Sequence, residues 1–127
     1  MNVNIKPGIS KEIEKTVEMK DTATAYGSGL VEVFATPAMI ALMENTAMEA
    51  VRDSLPTGYN TVGSQVNVSH IKATPVGGKV LCSAKLIEIN DRQLLFEVEA
   101  KDEHGKIGFG NHTRVIINTE KFMAKLK

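Results

Sequence analysis

One glutamate in this chain occupies a helical pattern in which every neighbouring side chain is apolar. When the segment 37–51 is taken as a helix, the residues three and four positions from Glu44 are Ile40, Ala41, Ala47 and Met48. A carboxylate in such surroundings is desolvated, so its pKa is expected to rise unless a partner keeps it charged. Glu44 is therefore a candidate for acid–base or nucleophilic chemistry. A buried structural acid and a side chain that reaches solvent from the edge of the apolar stripe are the alternatives.

A histidine is the second candidate. On the strand predicted over 61–71, His70 alternates in phase with Val62, Val66 and Val68, so it is expected on the face that covers the helix. Taken alone, a histidine in a valine-rich face is more often a core residue than a catalyst. Together with Glu44 it forms a pair of titratable groups in an apolar cleft, which is what acid–base chemistry requires.

A threonine at the expected start of the helix is the third candidate. Thr36 directly precedes Pro37, a pattern typical of a hydroxyl N-cap followed by proline at the first helical position. Capping alone would explain this residue. A hydroxyl held there would also lie where the partial positive charge of the helix terminus favours an oxyanion.

Two further residues are candidates for substrate binding. Gly63 lacks a side chain and so lets a ligand approach its backbone, with a β-bulge as the equally weighted alternative. Arg114 is interpreted as a ligand for a phosphate, as a residue that crosses a dimer interface, or as an ordinary surface arginine. His104, in a hydrophilic turn, and His112 are weaker candidates. No His, Cys, Asp or Glu cluster has metal-ligand spacing, so we expect no metal.

The composition excludes several classes of protein. The 127 residues carry 15 basic and 15 acidic side chains, so net charge gives no reason to expect nucleic acid or an anionic membrane as partner. The single Cys82 cannot form an intramolecular disulfide, which fits a reducing compartment. Its phase with Val80 and Ala84 predicts a buried side chain. No apolar stretch is long enough for a membrane span, and the N-terminus, with Asn2, lacks a signal-peptide core, so we expect a cytoplasmic protein.

The element pattern is one strand, one helix and four further strands. A strand is predicted over 9–19 with Ile13, Val17 and Met19 on one face, a flexible connection over 23–31, and a helix from Thr36 to about 55–58. Strands over 61–71, 79–89, 93–101 and 107–118 are joined by short turns, which predict antiparallel neighbours. An antiparallel sheet wrapped around one long helix is the hot-dog fold, an α+β arrangement, and we expect it to form a single domain over 1–127. A cone-shaped sheet with several helices is the rival.

Several blocks of this sequence resemble one family within the hot-dog superfamily, the fluoroacetyl-CoA thioesterase-like proteins. The similar segments are 32–37 with Met39 and 42–44, then 62–63, 68–70 and 73–75, and finally 108–114 with 120–125. They run in the family's order from about residue 10 to the C-terminus. The Thr36/Glu44 spacing of eight and the Glu44/His70 spacing of twenty-six agree with the family pattern. Several blocks in one order are far more specific than any single motif.

The resemblance implies a homodimeric hydrolase that cleaves a short acyl-CoA thioester. The family's catalytic Thr, Glu and His correspond to Thr36, Glu44 and His70, and no cofactor is implied beyond the coenzyme A of the substrate. The fluoroacetyl-specific branch carries a longer, aromatic-rich lid, whereas 21–31 here offers only Tyr26, so the acyl group stays open. So does the role of Glu44 as nucleophile or general base. A hot-dog hydratase and a non-catalytic acyl-CoA-binding protein are the alternative functions.

Overall fold

The computed structural model describes residues 4–127 and contains one five-stranded sheet and one long helix. Its elements are β1 (Ser10–Thr16), α1 (Ala23–Tyr26), α2 (Thr36–Arg52), β2 (Tyr59–His70), β3 (Lys79–Asn90), β4 (Gln93–Asp102), β5 (Gly105–Asn118) and α3 (Thr119–Ala124). The strand order is β1-β3-β4-β5-β2, and every neighbouring pair is antiparallel. Residues 1–3 lie outside the described part. Two predictions include them: the absence of a signal peptide, which used Asn2, and the single domain over 1–127.

The sheet wraps around α2, and the core lies between them. The most buried side chains of α2 meet inward-facing side chains from the sheet: Met39, Met43, Ala47 and Val51 against Val80, Leu86, Phe96 and Val98. The prediction of a hot-dog arrangement is therefore confirmed. Cys82 is fully buried on β3 together with its predicted neighbours in phase. No helix in the described part of the chain is long and apolar enough to cross a membrane.

The start of α2 differs from the prediction in a way that matters for the site. The N-cap is Ala35, and Thr36 is already the first helical residue. Helix boundaries shift by a residue between definitions, but the Thr36 hydroxyl makes no capping bond and instead pairs with a histidine from β2. The prediction of Thr36 as N-cap is therefore wrong. The helix also ends at Arg52, before the Pro56 that was expected to end it.

Strand β2 differs from the prediction in its neighbour and in its phase. Its short connection to β3 suggested a hairpin, yet β2 pairs with β5 at the edge of the sheet. A bulge shifts the register between Gly63 and Gln65, which places Gly63 opposite Arg114 and Val66 opposite His112. Because opposite residues share a face, Val66 and His70 face α2 as expected, but Val62 lies on the other face. The bulge interpretation of Gly63 is correct for this strand.

Three smaller differences lie in the connecting segments. β1 ends at Thr16, and Met19 begins a short 3-10 helix over Met19–Asp21 with its side chain exposed. Part of the segment expected to be a flexible connection forms α1, which ends where Gly27 adopts φ 71°. The C-terminal residues form α3, capped by the Asn118 side chain, which the sequence analysis did not predict.

Candidate active site

A cleft of about 330 Å3 opens where α2 begins and β2 ends. Phe34 and Ala35, both almost fully buried, form part of its wall. Thr36 and His70 lie side by side in the cleft, and Lys72 also lines it, with its ammonium group 4.0 Å from Asp102 Oδ1. The cleft therefore brings together a hydroxyl and an imidazole at the N-terminus of the longest helix, where unpaired backbone N–H groups favour negative charge.

Thr36 and His70 are joined by a hydrogen bond. Thr36 Oγ1 lies 2.8 Å from His70 Nδ1, and the buried ring of Phe34 meets the imidazole edge-to-face with centroids 6.5 Å apart. These contacts fix the orientation of the imidazole. The two catalytic candidates expected at the helix start and on β2 are thus brought together in one chain.

The second nitrogen of His70 is buried and, among the described residues, has no hydrogen-bond partner. Burial lowers the pKa of His70, and a smaller opposing effect comes from the backbone of Lys72. The ring is therefore neutral near pH 7. When the Thr36 hydroxyl donates to Nδ1, Nε2 carries the proton, and that N–H is free to donate to a substrate oxygen or sulfur.

Glu44 lies in a different part of the chain's interior. It is half-buried on α2 and reaches over Gly63. A Cβ atom built on Gly63 would lie 2.7 Å from Glu44 Oε2, so the carboxylate occupies the space that the missing side chain leaves. Glu49, on the same helix, instead pairs with Arg52 at 3.0 Å.

A hydrogen-bonded network surrounds the space over Gly63. Arg114 donates from Nε to Thr61 Oγ1 at 2.8 Å and from Nη2 to the Thr61 carbonyl at 2.8 Å. Arg114 Nη1 lies 3.2 Å from His112 Nε2, and His112 Nδ1 lies 2.8 Å from the Gln65 carbonyl. A carbonyl only accepts, so Nδ1 carries the proton and Nε2 accepts from the guanidinium. The network therefore fixes one neutral tautomer of His112.

Charges in this network act on one another. Burial lowers the pKa of His112, an effect opposed by the Gln65 carbonyl and by Glu44 and reinforced by Arg114. Burial lowers the pKa of Arg114 too, and the nearby Glu44 carboxylate raises it. Arg114 and Glu44 thus attract each other across the space over Gly63, without forming an ion pair among the contacts described.

The structure excludes one interpretation of Arg114 and gives His112 contacts that the sequence did not indicate. Arg114 is only 7% exposed, so it is not an ordinary surface arginine, and its donors face Thr61 and His112 rather than solvent. His112, which was ranked as a weak candidate, is 1% exposed and contacts both Arg114 and the space beside Glu44. Its phase with Arg114 and the buried Ile116 along β5 is a signal that could have identified it. His104 lies exposed in the turn between β4 and β5.

The two groups of residues are separated within one chain. Thr36 and Glu44 stand eight residues apart on α2, which is about 12 Å along the axis and about 80° around it. Gly63 and His70 face the same way on β2 but lie about 20 Å apart. A single chain therefore does not bring Glu44 to Thr36 and His70. Within residues 4–127, no group of three His, Cys, Asp or Glu side chains is placed to hold a metal ion.

Comparison with known proteins gives consistent matches. Residues 17–120 match the model of the family described as fluoroacetyl-CoA-specific thioesterase. The chain is 40% identical over 96 residues to a fluoroacetyl-CoA thioesterase from Streptantibioticus cattleyicolor, covering 76% of this chain and 69% of that protein.

Solved structures agree in fold. The chain superposes on a variant of the fluoroacetyl-CoA thioesterase FlK in complex with acetyl-CoA with a TM-score of 0.91 at 32% identity, covering 96% of each chain. It superposes on a hot-dog-like protein from Thermanaerovibrio acidaminovorans with a TM-score of 0.87 at 24% identity, covering 94% of this chain and 89% of the other.

Proposed function

Since the chain belongs to the fluoroacetyl-CoA-specific thioesterase family and is thus a thioester hydrolase, we propose that it hydrolyses short acyl-CoA thioesters at a site built from two protomers. One protomer supplies Thr36 and His70, and its partner supplies a second Glu44. The observation that carries this proposal is the buried Nε2 of His70, which has no hydrogen-bond partner within residues 4–127, while Nδ1 of the same ring pairs with Thr36 in the cleft.

The roles follow from what thioester hydrolysis requires. The oxygen of water bonds to the carbonyl carbon, the carbon–sulfur bond breaks, and the thiolate takes up a proton. The Nε2–H of His70 can donate a hydrogen bond to the carbonyl oxygen as charge develops there. The proton that the thiolate takes up comes from the attacking water by way of Glu44, or from solvent, so His70 keeps its own proton. The N-terminus of α2 adds backbone dipoles of the same sign, because its first-turn N–H groups lack intrahelical acceptors.

Glu44 supplies the remaining step in one of two ways. As a general base it takes a proton from the attacking water; as a nucleophile it forms an anhydride with the acyl group that water then cleaves. Thr36 keeps the His70 ring in the donor orientation through its hydrogen bond. In both schemes the net reaction consumes one water and yields a carboxylic acid and free coenzyme A.

The edges of the sheet favour a dimer through β2. Four of the seven residues of β1 are charged, which discourages strand pairing. β2 is the opposite edge, and its sequence YNTVGSQVNVSH holds no Lys, Arg, Asp or Glu. Its central residues are exposed, Val66 at 39%. A neutral, open edge strand is suited to pairing with a second copy of itself.

Such pairing would complete the site. A two-fold axis near Val66 and Asn67, midway between Gly63 and His70, places Gly63 of one protomer opposite His70 of the other across antiparallel strands. Glu44 lies over Gly63 in its own chain. It would therefore arrive beside the unpartnered Nε2 of the other chain's His70. This register is the reason that we assign Glu44 to the partner.

The size of the cleft supports a short acyl group. The volume of about 330 Å3 must hold the end of the pantetheine arm as well as the acyl group, and the buried Phe34 closes its wall. We therefore propose acetyl-sized substrates.

Mixed dimers test the assignment. Differently tagged Glu44→Gln and His70→Ala chains are co-expressed, and the doubly tagged heterodimer is assayed for thiol release from acetyl-CoA. Each mutant homodimer should fall at least about a hundredfold. The heterodimer should regain about half of the parent rate, because one of its two sites is intact.

The reciprocal heterodimer is the matched control. A parent chain paired with a Glu44→Gln/His70→Ala double mutant has no intact site if Glu44 comes from the partner, and one intact site if each chain supplies its own. Activity in this control, or a fully active monomer in sedimentation, would overturn the shared site. Formation of a hydroxyacyl product from an enoyl-CoA without thiol release would instead support a hydratase.

A further inference from the structure

A second groove lies at the far end of the chain from the Thr36–His70 cleft. It has a volume of about 370 Å3 and is bounded by the start of β2, the turn between β3 and β4, the end of β5, and α3. Its wall contains two aromatic side chains, Tyr59 and Phe122, and three cations, Arg92, Lys121 and Lys125. No carboxylate lines it; Asp91 and Glu120 are adjacent in sequence but are not part of the wall.

The three cations are not neutralised by the protein. None of them forms an ion pair or a side-chain hydrogen bond with the residues that the structure describes. Lys121 and Lys125 stand four residues apart at the end of the chain, so their side chains project to the same side. Arg92 lies in the turn between β3 and β4 and also lines the groove. In a protein with no net charge, this concentration of positive charge is local.

The composition of the wall specifies the kind of ligand. Two aromatic rings offer flat faces on which a nucleobase can stack. Arg92 offers a planar fork that suits a phosphate, and the two lysines provide further donors. A ligand that is both flat and multiply anionic satisfies all of these groups, whereas a neutral or purely apolar ligand satisfies few of them.

We infer that this groove binds the 3′-phospho-ADP end of coenzyme A. The inference rests on the proposed function, because an acyl-CoA substrate carries its phosphates at the end remote from the thioester. The proposed dimer explains how one coenzyme A molecule could extend from the cleft to this groove. With the two-fold axis between Val66 and Asn67, antiparallel pairing would bring Tyr59 of one protomer past the end of the other protomer's β2, toward the segment in which Lys72 lines the cleft. The flexible pantetheine arm then spans from the cleft to the partner's groove.

A binding measurement tests the groove without requiring catalysis. Adenosine 3′,5′-bisphosphate is titrated into the intact protein by calorimetry, alongside AMP and inorganic phosphate. We expect the bisphosphate to bind more tightly than AMP or phosphate, and its affinity to decrease at high salt because the contacts are charged. The Arg92→Ala/Lys121→Ala double variant should bind the bisphosphate at least about tenfold more weakly. The Lys106→Ala variant, which removes a cation on the turn side of β5 that pairs with Glu99, should leave it unchanged.

A kinetic comparison separates this inference from the proposed function. The parent should prefer acetyl-CoA over the truncated thioester S-acetyl-N-acetylcysteamine, mainly through a lower KM. In the double variant that preference should shrink at least about tenfold. Bisphosphate binding without any turnover would support the groove and contradict the thioesterase proposal. Turnover whose preference for acetyl-CoA is the same in the parent and the double variant, or bisphosphate binding that the variant does not weaken, would overturn the groove.

Discussion

The two polar regions of this molecule differ in how completely their atoms are paired. Around Gly63, the donors of Arg114 and both nitrogens of His112 find partners within the chain. At the start of α2, the buried Nε2 of His70 has no hydrogen-bond partner among the residues that the structure describes. Buried polar atoms are ordinarily satisfied, so an unpaired one marks a place where something else must bind.

This difference indicates a division of labour. The network around Gly63 places Arg114 and His112 beside the Glu44 carboxylate, which the Arg114 guanidinium attracts. The Thr36–His70 pair is oriented but incomplete, and it faces an open cleft. The region around Gly63 thus presents the Glu44 carboxylate, and the Thr36–His70 cleft can receive a further group.

Removing the charge of Glu44 should have the largest effect on turnover. Glu44→Gln keeps the shape of the side chain over Gly63 but cannot act as base or nucleophile, so kcat should fall at least about a hundredfold. The melting temperature should hold. Glu49→Gln, on the same helix, is the control and should keep the parent rate. A Glu44→Gln protein with near-parent turnover and lowered stability would make Glu44 a structural acid.

Displacing the carboxylate without changing it should have the next largest effect. In Gly63→Ala the new methyl group would lie 2.7 Å from Glu44 Oε2, so the flexible carboxylate must move while the backbone stays. A displacement of this size should reduce kcat/KM roughly thirtyfold. Chemical denaturation should show little loss of stability. Ser64→Ala, at the neighbouring exposed bulge, is the matched control, and equal rates for both variants would sink the idea.

The tautomer of His112 should matter less. His112→Asn keeps a donor for the Gln65 carbonyl but removes the acceptor of Arg114, and we expect kcat/KM to fall about fivefold, as for one lost hydrogen bond. His112→Gln keeps an acceptor near Nε2 and should retain more activity. His104→Asn, in the exposed turn, serves as the control. If kcat/KM falls equally in the Asn and Gln variants, the hydrogen bond to His112 does not position Arg114.

Lowering the pH should have the smallest effect, a decrease in folding stability. Burial lowers the pKa values of His70 and His112 from 6.5, so below about pH 6.5 the unfolded chain binds more protons than the folded one. Stability should then be fully present above that pH and decline as the pH falls. His112→Gln removes one contributor, although Glu44 and Arg114 still face the position. Its urea midpoint should therefore drop less between pH 8 and pH 5.5 than that of the parent.

The sequence was sufficient for the helix and for most strands, because dense apolar periodicity dominates there. It also singled out Glu44 as a candidate because its helical neighbours are apolar, but it did not indicate the Arg114 and His112 side chains that lie nearby. It failed at Ser64, where one inserted residue reverses the alternation of β2. Val62, Val66 and Val68 are all separated by even numbers of residues, so the pattern gave no warning of the bulge.

The network around Gly63 was beyond the sequence because it depends on strand pairing. Gly63 meets Arg114, and Val66 meets His112, only because β2 lies beside β5 rather than beside β3. Short connections favour neighbouring strands, but this one crosses to the other side of the sheet. The prediction for the Thr36 hydroxyl failed for a different reason. Capping and pairing with His70 both fit a threonine before a proline, and only the position of β2 decides between them.

The burial of Cys82 gives this protein a built-in reporter. It is the only cysteine in the sequence and is 0% exposed on β3, and burial raises the pKa of its thiol, which further lowers its reactivity. A disulfide reagent that colours on meeting free coenzyme A should therefore detect almost no background from folded molecules. Without substrate, the same reagent would count only chains that have opened, so a single chemistry measures both turnover and the rate of unfolding.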